Sequence, residues 1–245
     1  MKSPGKTLTT RPWISGRCPL VLASGSPRRA EILERLGIPF VIEVSGVEER
    51  RRSKESPRAF AQRAAADKGS EVLRRMGSRR GSPWVLGADT IVVLGDEILG
   101  KPKHEKNARR MLAALSGKTH EVITGVWIGR WAKGESKDSN RQGEVSRKLG
   151  GIPHPAGLSE VNTLIEYLSD VVVTEVTFRK LNPRDITAYL ASREWKAKAG
   201  AYAIQGLGAG LVSSIHGDYY NVMGLPGFRV VEMLIEVGAI KRYPI

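Results

Sequence analysis

A chain of 245 residues with 41% hydrophobic content can bury a real core, as one large α/β domain or two small ones. Its formal charge of +14 suits polyphosphates, whether nucleic acid or small phosphorylated substrates, because both respond to the same positive field. The single cysteine, Cys18, excludes an internal disulfide framework and a thiolate cluster and points to a reducing compartment. The scattered His104, His120, His154 and His216 offer no zinc spacing, so any metal belongs on carboxylates.

Residues 1–17 carry Lys2, Lys6, Arg11 and Arg17 without the apolar stretch of a secretory signal, and are expected to form a disordered basic tail before a single domain over residues 18–242. No apolar run approaches the roughly 20 residues that span a bilayer, so a soluble chain with no membrane partner is expected. Residues 19–23 read as a short buried strand. It runs into Ser24-Gly25-Ser26-Pro27-Arg28-Arg29 and then a helix, with Ser26 as N-cap, Pro27 at the first helical position and Gly37 as its stop. A strand follows at 40–44. Ser56-Pro57 repeats the cap-and-proline start and opens a helix to Met76, whose apolar arc holds Phe60, Ala61, Ala64, Ala65 and Val72. Lys68 falls inside that arc, where it either points with the core or snorkels past small alanines to solvent.

Residues 84–94 are apolar on both alternating faces apart from Asp89 and Thr90, the pattern of a central strand covered on two sides. Gly95-Asp96 reads as a hairpin turn into 97–99, residues 105–115 as a helix stopped by Gly117, and 121–128 as a further strand. From 129 to 157 the chain is rich in Lys, Arg, Gly and Ser with little periodicity, and a long basic surface insertion is expected. Alternation returns at 169–181, and Asn182-Pro183-Arg184-Asp185 caps a helix to 191. Hairpin strands are expected at 202–204, 210–216 and 219–222, with Gly217-Asp218 as a turn, before a closing helix at 228–237.

Three features carry chemistry. The loop from Ser24 to Arg29 places hydroxyls, a glycine and two arginines at a helix start, where free N–H groups favour an anion; an ordinary capped helix with solvated arginines is the alternative. Asp89 stands in an otherwise apolar strand, and a buried carboxylate needs a cation: a divalent metal, Lys or Arg, or else structural hydrogen bonds at a strand end. Gly206-x-Gly208-x-Gly210 lacks the spacing and sequel of a dinucleotide fingerprint and suits tight turns beside a ligand.

Together these segments resemble the Maf family of nucleotide pyrophosphatases. The resemblance runs through Leu22-Ala23-Ser24-Gly25-Ser26-Pro27-Arg28-Arg29, Gly87-Ala88-Asp89-Thr90, Gly100-Lys101-Pro102, Leu115-Ser116-Gly117-Lys118-Thr119-His120, Gly200-Ala201-Tyr202-Ala203-Ile204-Gln205-Gly206 and Gly224-Leu225-Pro226. It implies a mixed α/β fold, with an elongated central sheet flanked by helices and a substrate cleft between two lobes, as in inosine triphosphate pyrophosphatase-like proteins. It also implies a cytoplasmic homodimer that hydrolyses a nucleoside triphosphate to the monophosphate and pyrophosphate with Mg²⁺ or Mn²⁺. By that likeness Asp89 is the proton acceptor and, with Glu49, the metal site. Arg28, Thr90 and Gln205 match positions of substrate choice, and Ser24, Arg29, Lys68 and Lys101 match positions around the phosphates.

The stretch 202–205 looks like the branch acting on dTTP and UTP; 7-methyl-GTP or CTP is the alternative substrate, and a non-catalytic polyanion binder the alternative function. Aromatics for base stacking are sparse, so nucleic acid is not expected as a specific partner. Ala197 departs from the family, where Asp or Gly is commoner before Lys198-Ala199-Gly200.

Overall fold

A computed structural model describes residues 20–77, 83–132 and 165–242; the basic tail and the insertion beyond residue 132 lie outside the described residues. In chain order the elements are β1 (Leu20–Leu22), α1 (Pro27–Arg35), β2 (Phe40–Ile42), α2 (Pro57–Met76), β3 (Val85–Leu94), β4 (Glu97–Leu99), α3 (Glu105–Leu115), β5 (Thr119–Trp131), β6 (Ile165–Phe178), α4 (Pro183–Ala191), β7 (Val212–His216), α5 (Tyr219–Met223) and α6 (Gly227–Glu236). The strands form an open seven-stranded mixed sheet in the order β2-β1-β3-β5-β6-β7, with β4 paired to β3. β1 runs parallel to β2 and β3, and the remaining pairs are antiparallel.

β3 is central because both its faces are apolar, and β5 covers one edge along its whole length, from Val85 opposite Gly129 to Val93 opposite Glu121. Its other edge is shared. β1 pairs at Val85 and Leu86 and β4 pairs from Val92 to Leu94, so among the described residues 87–91 lack a strand partner on that side. The sheet therefore opens at Asp89.

Period-2 alternation sends Gly87, Asp89 and Ile91 toward α2, and Ala88, Thr90 and Val92 toward the opposite layer. Ile91 and Val93 pack with Phe60, Ala61 and Ala64 of α2, whereas Ala88 and Val92 join the larger core built on α1, α3 and α6. α2 lies directly on the strands because Gly87 and Gly125 have no side chain. A Cβ would stand 2.2 Å from the Ala65 carbonyl oxygen at Gly87, and 2.1 Å from that of Ala61 at Gly125. Ser56 caps α2 by accepting a hydrogen bond from the Ala59 N–H at 3.2 Å.

Three expectations are corrected. Residues 219–222 are helix and not strand, because Asp218 turns its carboxylate onto the N–H groups of Tyr220 (2.7 Å) and Asn221 (3.2 Å) and caps α5. Residues 202–204 form no strand: they leave one 3₁₀ turn (Ala199–Ala201) and lead into another (Leu207–Leu211), which also takes Gly210 and Leu211 out of β7. β5 and β6 extend past their expected starts and β5 past its expected end. There Arg130 pairs with Glu166 across the ladder at 2.7 Å and stacks on Trp84, and the Trp131 indole donates to the Leu73 carbonyl at 3.1 Å.

Candidate active site

The loop between β1 and α1, the open edge of β3, Lys68 on the inner face of α2 and the turns around 197–205 enclose one cleft of about 490 Å³. Ser24, Arg28, Arg29, Glu49, Lys68, Asp89, Thr90, Lys101 and Gln205 all line it. These nine candidate residues thus lie along one cleft, across more than 180 positions of chain, whereas Gly206, Gly208 and Gly210 are not among its lining residues.

At its floor Asp89 is 4% exposed, and its Oδ1 accepts a hydrogen bond from Lys68 Nζ at 2.7 Å. Lys68 does follow the apolar arc of α2 inward, and the close approach at Gly87 is what brings its ammonium to the strand. The same ammonium pairs with the partly exposed Glu49. Burial pushes the Glu49 carboxyl up, but Lys68, with Lys101 and Arg29 behind it, outweighs burial and holds it below the ordinary carboxylate value. Among the described residues, no protein donor reaches Asp89 Oδ2.

Arg29 is buried and largely committed to protein. Its Nε donates to the Gly224 carbonyl (2.8 Å), Nη1 to Ser24 Oγ (3.0 Å) and Nη2 to Thr90 Oγ1 (3.3 Å). Burial lowers its pKa, and the charges of Asp89 and Glu49 oppose that drop. Gly224 is held in turn by α5, whose buried Asn221 donates to the Val122 carbonyl and to Thr174 Oγ1, both at 3.0 Å. Thr90 Oγ1 lies 2.9 Å from Thr124 Oγ1 and donates to Gly224 at 3.2 Å. Ser24, Arg29 and Thr90 form one polar brace between α1, β3 and α5.

Arg28 differs from its neighbour. It is half-buried, its Nε–H is buried without a partner, and its pKa is lowered by burial and then by Arg29. Ser26 stands at the N-cap of α1 but makes no side-chain cap bond; its own N–H donates to Ser24 Oγ at 3.2 Å. The first-turn amides of α1 are therefore left to an anion in the cleft.

Sequence reasoning missed Lys198, which also lines the cleft; burial, then the nearby Arg28, lowers its pKa. It follows Ala197, which holds φ +56, a left-handed geometry that glycine or a short polar side chain adopts more readily than alanine. The Asp or Gly that the resemblance leads one to expect at this position would have that backbone reason.

Two carboxylates within reach of one ammonium, beside space for phosphate oxygens, suit a hard cation, because Mg²⁺ typically takes one or two protein carboxylates plus substrate and water. Among the described residues no group of three or more His, Cys, Asp or Glu could hold a metal, so such a cation depends on those two and on its substrate. No helix among the described residues is long and apolar enough to cross a membrane.

The sequence matches the family described as Maf-like protein over residues 19–149 and 157–237. Among curated proteins, it is 41% identical over 222 residues to a dTTP/UTP pyrophosphatase of Salmonella typhimurium (strain LT2), covering 91% of this chain and 94% of that protein. The Escherichia coli (strain K12) protein of the same name is 39% identical over the same shares. That of Bacillus cereus (strain ATCC 10987) is 42% identical over 215 residues, 88% of each chain.

Proposed function

This chain belongs to the Maf-like family, and we propose that it is a hydrolase that cuts dTTP and UTP to the nucleoside monophosphate and pyrophosphate. The observation that carries the reading is a buried carboxylate, Asp89, at the floor of a cleft whose lining includes Arg28, Lys68, Lys101 and the start of a helix, with Glu49 as its second carboxylate. A chain of phosphates is the ligand that such a set of donors fits.

In this reading Asp89 uses its free Oδ2 to take a proton from water as the water oxygen bonds to the α-phosphorus. The bond from that phosphorus to the bridging oxygen breaks, and pyrophosphate leaves with the bond's electron pair. Lys68 orients Asp89 through Oδ1, which leaves Oδ2 free for the water. Arg28, whose buried Nε–H lacks a partner, and Lys101 donate to phosphate oxygens, while Arg29 acts mainly by fixing Ser24 and Thr90. Asp89 and Glu49 are the side chains that would hold Mg²⁺ or Mn²⁺, which when bound supplies charge neutralisation for the phosphates. Gln205, exposed at the cleft wall, reads the pyrimidine edge through the paired donor and acceptor of its carboxamide. The reading extends to a cytoplasmic homodimer that removes unwanted nucleotides from the pool, with the family resemblance as its support.

A panel of triphosphates tests the proposal. Pyrophosphate release should need a divalent cation and favour dTTP and UTP over CTP and 7-methyl-GTP. Salt-sensitive DNA binding with no pyrophosphate released from any triphosphate would favour a polyanion binder instead.

A further inference from the structure

Ala203, Ile204 and Gln205 line the cleft without belonging to a strand, so something other than a ladder must hold their turn. On one side the Ala203 N–H donates to the Tyr189 hydroxyl at 3.0 Å. On the other, the Glu194 carboxylate accepts from the Leu207 N–H through Oε1 at 3.0 Å and from the Gly208 N–H through Oε2 at 3.3 Å. Gly206, between Gln205 and those two amides, presses on the same carboxylate: a Cβ there would stand 2.5 Å from Oε1.

The clamp rests on a firm base at the end of α4. The Trp195 indole donates to the Leu190 carbonyl at 3.0 Å, Ser192 Oγ donates to the Tyr189 carbonyl at 2.7 Å, and the Glu194 N–H donates to Ser192 Oγ at 3.2 Å. Burial, with the Glu194 charge adding to it, pushes the Tyr189 phenol up to about 12, so it remains a neutral hydroxyl at working pH.

We propose that Glu194 is a positioning residue for base selection: its carboxylate grips the amides of Leu207 and Gly208 from behind the turn and so fixes the direction in which Gln205 enters the cleft. A backbone fastened one and two residues beyond Gly206 leaves Gln205 little freedom to swing, and a carboxamide discriminates bases only when its donor and acceptor are set against the right edge. This inference rests on the reading that Gln205 contacts the base.

The experiment measures kcat and KM for UTP and CTP in the wild type, Glu194→Ala, Glu194→Gln, Gly206→Ala, Gln205→Ala and the Glu194→Ala/Gln205→Ala double variant, with melting curves alongside. Glu194→Ala and Gly206→Ala should each cut the UTP-over-CTP ratio of kcat/KM by about tenfold or more, mainly through KM for UTP. Glu194→Gln, which keeps one acceptor oxygen, should recover part of that loss. In the Gln205→Ala background the Glu194 substitution should change the ratio no further, because the two act in series. A clamp that mattered only for stability would lower melting temperature and leave the ratio alone.

If Gln205→Ala loses the preference while both Glu194→Ala and Gly206→Ala keep it, the positioning role is overturned and the base contact stands. If Gln205→Ala itself keeps the preference, the base contact falls and the positioning role falls with it. Should Glu194→Ala fail to fold, Gly206→Ala and Glu194→Gln decide alone by the same ratio.

Discussion

Replacing Lys68 by methionine keeps the aliphatic stem in the arc of α2 and removes only the ammonium that Asp89 and Glu49 share. Asp89, with a side chain 6% exposed, then sits buried without its ion-pair partner. Breaking a buried pair from one side costs about 3 kcal/mol or more, which for a domain of this size lowers the melting temperature by about 6–12 °C. The loss has a pH signature. In the wild type the Glu49 carboxyl is held below its ordinary value, so its contribution is present above the unfolded pKa and fades as pH falls through the folded one. In Lys68→Met the lowering by Lys68 is gone and only Lys101 and Arg29 remain to oppose burial, so protonating Glu49 in acid relieves its repulsion with Asp89. The stability gap should therefore be wider at neutral pH than in acid. Urea titrations at pH 7 and pH 4.5 measure the gap, and pyrophosphate release should drop by about 10²–10³. A Lys68→Met protein as stable as wild type at pH 7, with unchanged turnover, would refute the argument.

Two further outcomes follow from other parts of the fold. His120 is 2% exposed, its Nε2 lies 3.0 Å from the Tyr202 hydroxyl, its Nδ1 has no partner, and burial lowers its pKa to about 4. The unfolded chain thus takes a proton near pH 6.5 that the folded chain refuses until about pH 4. Stability should fall by about 3 kcal/mol over that window for this group, and His120→Gln should flatten that part of the profile in urea titrations. Ala197→Gly should relieve the left-handed backbone at φ +56 and, after the entropy of glycine is set against it, stabilise by about 0.5–1 kcal/mol, a rise of about 1–4 °C in a melting curve.

The parts of the fold that could be read from sequence are those with local causes. Ser56-Pro57 before an apolar arc marks α2, and an apolar run interrupted only by Asp89 and Thr90 marks β3. The misread parts have distant or side-chain causes. Tyr219 and Tyr220 beside Val222 look like strand residues until the Asp218 carboxylate turns back to cap them. Tyr202 and Ile204 have strand composition, but the Tyr189 hydroxyl takes the Ala203 N–H that a neighbouring strand would have used. The end of β5 looked like part of the insertion because Arg130 is charged, and its partner Glu166 lies 36 positions away.

The site followed the same division. Asp89 and Lys68 stand out because each is charged in apolar surroundings, and a burial argument finds such residues. Lys198 and Glu194 lie in the polar segment Ser192-Arg193-Glu194-Trp195-Lys196, Ala197, Lys198, where nothing local separates a cleft residue from a solvated one. Arg29 shows what a local pattern leaves out, although it does line the cleft. Its pattern fits a phosphate ligand, yet three of its nitrogens serve the protein.

The account depends most on Asp89 as the base. Pyrophosphate release from dTTP by Asp89→Asn, measured with Mg²⁺ beside wild type and with a melting curve to show that the fold persists, tests it directly. The account predicts a loss of at least about 10²-fold in kcat with a folded protein; release at the wild-type rate would contradict it.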